Sequence, residues 1–204
     1  MASILAASTT GIIVAAGPGD DVILRNIDLI GEACNSIAGV RVTSARSVTL
    51  DHLRITGFPL GINALTTTPS STLSITNSTI ADSCTTGMNL APTGAGSVTT
   101  VLAQSRVSSG GTGIKTAPNA TFWAATSSID SNRVAVDTSA GGTARVSCGV
   151  TCRGTRPTAP SPAPVQHRNC GQLGGRTGTA GPRRPAPPQG PGLPAPGSLE
   201  SATT

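Results

Sequence analysis

The sequence predicts an all-β fold, a β-solenoid of about six coils, and three observations carry that prediction. Apolar residues recur in ungapped eight-residue blocks, a glycine-led strand follows each block, and no window sustains the 3.6-residue period of a helix. Composition agrees with the pattern. Of 204 residues only 11% are charged and 1% aromatic; there is no Tyr, and Trp123, Phe58 and Phe122 are the only rings of that kind. A core without large rings must bury many small and β-branched side chains in a regular array, which a stacked repeat does.

The blocks come in order: "VILRNIDL" from Val22, "VTLDHLRI" from Val48, "LSITNSTI" from Leu73, "TVLAQSRV" from Thr100 and "FWAATSSI" from Phe122. Three apolar columns run through them. The first is Val22, Val48, Leu73, Thr100 and Phe122; the second Leu24, Leu50, Ile75, Leu102 and Ala124; the third Leu29, Ile55, Ile80, Val107 and Ile129. Alternation with period 2 marks strands with one buried face. Between the second and third columns stand Asn26, His52, Asn77, Gln104 and Thr126. Asn tolerates the left-handed conformation, so this position suits a sharp bend between two short strands.

A third strand follows each pair: "GIIV" from Gly11, "GVRV" from Gly39, "GINA" from Gly61, "GMNL" from Gly87, "GIKT" from Gly113, and the weaker "AVDT" from Ala135. The glycines recur at intervals of 28, 22, 26 and 26, with the variation in the loops beside these strands. The frequency of Thr, Val and Gly argues against helical alternatives.

The stretches "TTGIIVAAGPGDDVILRNIDLIG", "GINALTTTPSSTLSITNSTI", "GMNLAPTGAGSVTTVL" and "GGTGIKTAPNATF", within residues 3–147, resemble the right-handed parallel β-helix proteins of the pectate-lyase-like superfamily. In particular the chain is similar to bacterial proteins of unassigned function described as right-handed parallel β-helix repeat-containing. The resemblance implies a right-handed parallel β-helix. It leaves activity open, since the superfamily holds lyases, glycosidases, adhesins and passive scaffolds. Similar proteins usually carry an export signal and further coils, so the chain is expected to be a whole protein or a fragment of a longer exported one.

Stacking assigns the charged residues. Coils about 4.8 Å apart bring equal positions into contact, which sets Arg25 over Asp51, Asp28 over Arg54, and Lys115 beside Asp137. These are read as cross-strand pairs that oppose register slips. Enzymes on this fold gather carboxylates on adjacent coils of one face, to bind calcium or to act as acid and base. Here Asp28, Asp51, Asp82, Asp130 and Asp137 fall in different columns, and Asp20 with Asp21 in "GPGDDV" reads as a polar turn before a strand. His52 belongs to the bend column, and Asp51 beside it would point to the opposite face of an extended segment. No residue is assigned to catalysis, to a cofactor or to a metal. For a carbohydrate partner the available platform is Phe122 with Trp123, one of which must face outward. The sequons at Asn77 and Asn119 are given no role.

Cys34, Cys84, Cys148, Cys152 and Cys170 form no zinc or redox spacing, and their number is odd. They are read as small, partly buried thiols rather than as a disulfide framework or metal set. The opening "MASILAASTTGIIVAAG" lacks a basic leading region, and no run reaches the roughly 18 apolar residues of a membrane helix. Localisation is left open, exported or cell-surface if a longer form carries a signal.

Residues 1–152 are taken as the solenoid domain and 153–204 as a Pro/Gly/Arg-rich disordered tail. The repeat is expected to break off after "GGTARVSC", where another coil is due. The body balances eight Lys or Arg against eight Asp or Glu, while the tail holds six Arg against Glu200 and eleven of the sixteen Pro. Such a tail cannot bury enough apolar surface to offset its ordering entropy; it reads as a linker, an Arg-bearing arm or a frame-shifted end. Its dispersed Arg residues predict no specific nucleic-acid partner. The function expected is a non-enzymatic scaffold or surface-type repeat protein. The alternative is a carbohydrate-binding or carbohydrate-cleaving β-helix whose active coils are missing. Open coil ends predict self-association.

Overall fold

The computed structural model describes residues 2–147 and 149–154; beyond Gly154 the expected tail lies outside the described residues. After β1 (Ala2–Ala6), strands come in threes: β2 (Ile12–Ala15), β3 (Asp21–Arg25) and β4 (Ile27–Gly31); β5 (Ala38–Ser44), β6 (Ser47–Asp51) and β7 (Arg54–Thr56); β8 (Leu60–Ala64), β9 (Ser71–Thr76) and β10 (Thr79–Ala81). The series continues with β11 (Thr86–Leu90), β12 (Val98–Ala103) and β13 (Arg106–Ser108); β14 (Thr112–Thr116), β15 (Ala120–Ala125) and β16 (Ser128–Asn132); β17 (Val134–Asp137), β18 (Thr143–Val146) and β19 (Thr151–Gly154).

Each strand of a unit joins a different sheet. Sheet A has the order β1-β4-β7-β10-β13-β16-β19, sheet B β17-β14-β11-β8-β5-β2, and sheet C β18-β15-β12-β9-β6-β3. Neighbours in each sheet pair in parallel, as in β3 with β6 and β10 with β13. The chain is therefore an all-β parallel solenoid of about six turns.

Register reproduces the sequence columns. Leu29, Ile55, Ile80, Val107 and Ile129 stand over one another, each 1% exposed or less. The column from Val22 runs through Val48, Leu73, Thr100 and Phe122 to Ala144. Full burial of such an aliphatic side chain stabilises by roughly 1.5–3 kcal/mol, and the stack repeats it coil after coil. The Thr100 hydroxyl has no hydrogen-bond partner there.

The glycine column has a packing cause. A Cβ at Gly61 would lie 2.6 Å from the Gly87 carbonyl oxygen and collide with Ile80 Cγ2. Gly39, Gly61, Gly87 and Gly113 in sheet B each sit against both the next coil's backbone and a sheet A side chain, where a Cβ would collide.

Two expectations are corrected. The repeat does not break off after "GGTARVSC": that stretch carries β18, paired with β15, and β19 follows it against β16 in sheet A. Nor are all the cysteines thiols. Cys34 and Cys84 form a disulfide with Cα atoms 6.2 Å apart, because the loops after β4 and β10 converge over the Gly57–Phe58 segment between them. The described Cys152 is free and half-buried.

Candidate functional site: a polar groove along one corner

The bend from sheet C to sheet A is made by a single left-handed residue in five coils. Asn26, His52, Asn77, Gln104 and Thr126 have φ of 56°, 55°, 49°, 49° and 48°. Asn takes this conformation at little cost; a β-branched Thr does not.

Just inside the corner runs a ladder of buried serines. The N–H of Leu53 donates to Ser78 Oγ at 3.0 Å, that of Ser78 to Ser105 Oγ at 3.0 Å, and that of Ser105 to Ser127 Oγ at 3.2 Å. Each hydroxyl in turn donates to the carbonyl two residues back, Thr76, Ala103 or Ala125, at 2.6–2.8 Å. Backbone amides at the bend, which could not join a sheet, are satisfied by the following coil. The sequence signal was present, as Ser follows Asn77, Gln104 and Thr126 directly.

Outside the corner lies an open groove of about 750 Å³, lined chiefly by His52, Asn77, Thr79, Gln104, Arg106 and Thr126. Asp51 stands at its end as the acceptor of several donors: Thr76 Oγ1 and Asn77 Nδ2 at 3.0 Å, with Arg25 Nε at 3.5 Å. The Asn77 amide above all, with Thr76 and His52, holds the Asp51 carboxyl below its ordinary value.

Asp51 and His52 do not face apart as an extended segment would place them. The left-handed φ of His52 turns its ring back, and Nδ1 lies 2.9 Å from Asp51 Oδ1. A carboxylate only accepts, so Nδ1 carries the hydrogen of this contact. Further along the groove, Arg106 donates to Asp130 at 2.9 Å. Ser128, first, and then Arg106 hold the Asp130 carboxyl below its ordinary value.

The other residues singled out from the sequence are dispersed. Asp20 accepts from the Gly17 N–H at 2.9 Å within its turn. Asp21 lies in β3, bonded to Ser47 at 2.7 Å and to Arg46, a pairing the sequence reading missed. Of the three stacked charge pairs, Arg25–Asp51 is an ion pair. Asp28–Arg54 and Lys115–Asp137 are neighbours in register but do not close to an ion pair, and Asp28 Oδ1 is buried without a partner. Register fixes backbones, whereas a long basic side chain is free to point elsewhere.

Sheet B carries a polar column in register, Arg41, Asn63, Asn89, Lys115 and Asp137, of which Asn63 is buried. Within it Asn89 Nδ2 donates to Asn63 Oδ1 at 3.0 Å. On sheet C, Phe122 is buried, while Trp123 is 42% exposed under the Arg145 guanidinium, 4.9 Å from the ring centroid. Among the described residues no three His, Cys, Asp or Glu side chains gather as a metal site, and no helix is long and apolar enough to cross a membrane.

The groove offers amides, hydroxyls, one imidazole and one guanidinium, a set that hydrogen-bonds polyols. Its two adjoining carboxylates are bound to basic partners. No protein-family model matches the chain, and no curated protein or solved structure matches it.

Proposed function

We propose that the chain is a non-enzymatic β-solenoid scaffold of the surface repeat type, right-handed and pectate-lyase-like in kind. The quoted repeats and glycine-led strands support the family reading. The observation that carries the scaffold reading is the use of the acidic groups. Asp20 holds a turn, Asp21 holds Arg46 and Ser47, Asp51 gathers Arg25, His52 and Asn77, and Asp130 holds Arg106. Carboxylates spent on neighbouring coils clamp register. The test is incubation with pectate, polygalacturonate and neutral glycans, with and without calcium. No unsaturated or reducing ends are expected; turnover lost on His52→Ala would overturn the reading.

The polar groove favours a second reading, carbohydrate binding without cleavage. Affinity electrophoresis through gels containing each glycan tests it. Retardation of the chain that is lost on Asn77→Ala with Gln104→Ala would support the groove as a sugar site; unretarded migration in every gel would exclude it.

A further inference from the structure

The segment 32–37 connects sheet A to sheet B in an unusual conformation. Ala33 and Cys34 are consecutive left-handed residues with φ of 42° and 73°, a combination that persists only where surroundings impose it. The segment leans on two other coils: Ser36 Oγ donates to the Ala6 carbonyl at 2.6 Å, and the Cys34 N–H to the Gly57 carbonyl at 3.2 Å. The Cys84 N–H donates to the next carbonyl, Phe58, at 3.1 Å. Two cysteines from coils on either side of Gly57–Phe58 are thus anchored to adjacent carbonyls of one segment and joined across it. Cys84 is exposed and Cys34 half-buried, so the bond is open to exchange.

We propose that Cys34–Cys84 is a surface redox staple, closed in an oxidising compartment, that fixes the 32–37 connection against the solenoid. In closing, the two thiols lose two protons and two electrons and one S–S bond forms. The electrons pass to a disulfide-bearing oxidant, oxidised glutathione or a dithiol oxidoreductase, whose own S–S bond opens to two thiols. Bonds of this kind persist in secreted and periplasmic settings and are rare in reducing cytosol. The inference is independent of what the groove binds.

The test uses the full chain, assembled in mixed oxidised and reduced glutathione, alkylated without reduction and cut with trypsin. Peptides 26–41 and 55–106, which carry Cys34 and Cys84, are expected as one linked species that separates on reduction. Alkylated Cys34 and Cys84, or Cys34 linked to another cysteine, would overturn the proposal. Hydrogen exchange tests the fixing role: reduction should speed exchange at the amides of Cys34 and Asn35 by tenfold or more, leaving β9 and β12 unchanged. Unchanged exchange at 32–37 would refute it. The double substitution Cys34→Ser with Cys84→Ser should be insensitive to reductant, whereas Cys152→Ser should keep the response.

Discussion

His52 Nδ1 and Asp51 Oδ1 are 2.9 Å apart although the residues are adjacent in the chain, because one left-handed residue cancels the alternation that would have separated them. The same corner geometry governs stability wherever it recurs. Thr126 occupies it with φ 48°, and a left-handed conformation costs a β-branched residue roughly 1–2 kcal/mol. Thr126→Asn should therefore raise stability by about 1 kcal/mol in urea unfolding, and an unchanged or lower midpoint would contradict the strain assigned there.

Beneath the corner, Ser105 both accepts from the Ser78 N–H and donates to the Ala103 carbonyl. Ser105→Ala strands a buried donor, at a cost of about 1–3 kcal/mol. Gln104→Ala, next to it on the exposed side, serves as the comparison and should cost less.

Ile80 is 1% exposed between Ile55 and Val107, whereas Thr79 faces outward in register with Arg54 and Arg106. Ile80→Asp places a carboxylate among aliphatic side chains and should cost on the order of 4 kcal/mol or unfold the chain. Thr79→Asp places the same group between two guanidinium columns and should be neutral or mildly stabilising. Equal melting shifts would refute the register.

Arg46, first through its hydrogen bond, and Ser47 hold the Asp21 carboxyl at about 2, below its ordinary 3.8. A carboxylate depressed in the folded state contributes stability above its unfolded value and loses it as the pH falls through the folded one. The stability difference between the parent chain and Arg46→Ala should thus be constant above about pH 5 and shrink between pH 4 and pH 2. A gap that persisted at pH 2 would show that Arg46 acts through packing.

β1, β2 and β3 each pair on one side, and their outward Leu5, Ile13 and Ile23 are 72%, 60% and 59% exposed. Unpaired apolar edges recruit other chains. Sedimentation velocity should show association that rises with concentration, and Ile13→Lys with Ile23→Lys should reduce it. A concentration-independent monomer would remove self-association from this chain's properties.

The strand columns were legible because each repeats a period-2 pattern in an ungapped block, and neighbouring coils leave little choice of register once Leu29, Ile55 and Ile80 must be buried together. The glycine column was visible as a recurrence, but its cause, the close approach of Gly61 to the Gly87 carbonyl, needs coordinates. The candidate site was less legible. Alternation fails at His52, so the sequence separated a pair that the backbone reunites. Arg106 meets Asp130 diagonally rather than in register, and Cys34 meets Cys84 across 50 residues through loops whose lean no strand pattern encodes. The six coils were legible, but the four-residue β19, which follows "GGTARVSC" without an apolar block of the repeating kind, was not.

The serine ladder gives the solenoid a direction. The N–H of Ser78 is satisfied by Ser105, and that of Ser105 by Ser127, each partner arriving one coil later in the sequence. On a ribosome, where the chain emerges from its beginning, the bend amides of Leu53, Ser78 and Ser105 each wait for a hydroxyl not yet made. Along this ladder the growing end is thus the unfinished end, and each of these three bends is sealed by the coil that follows it.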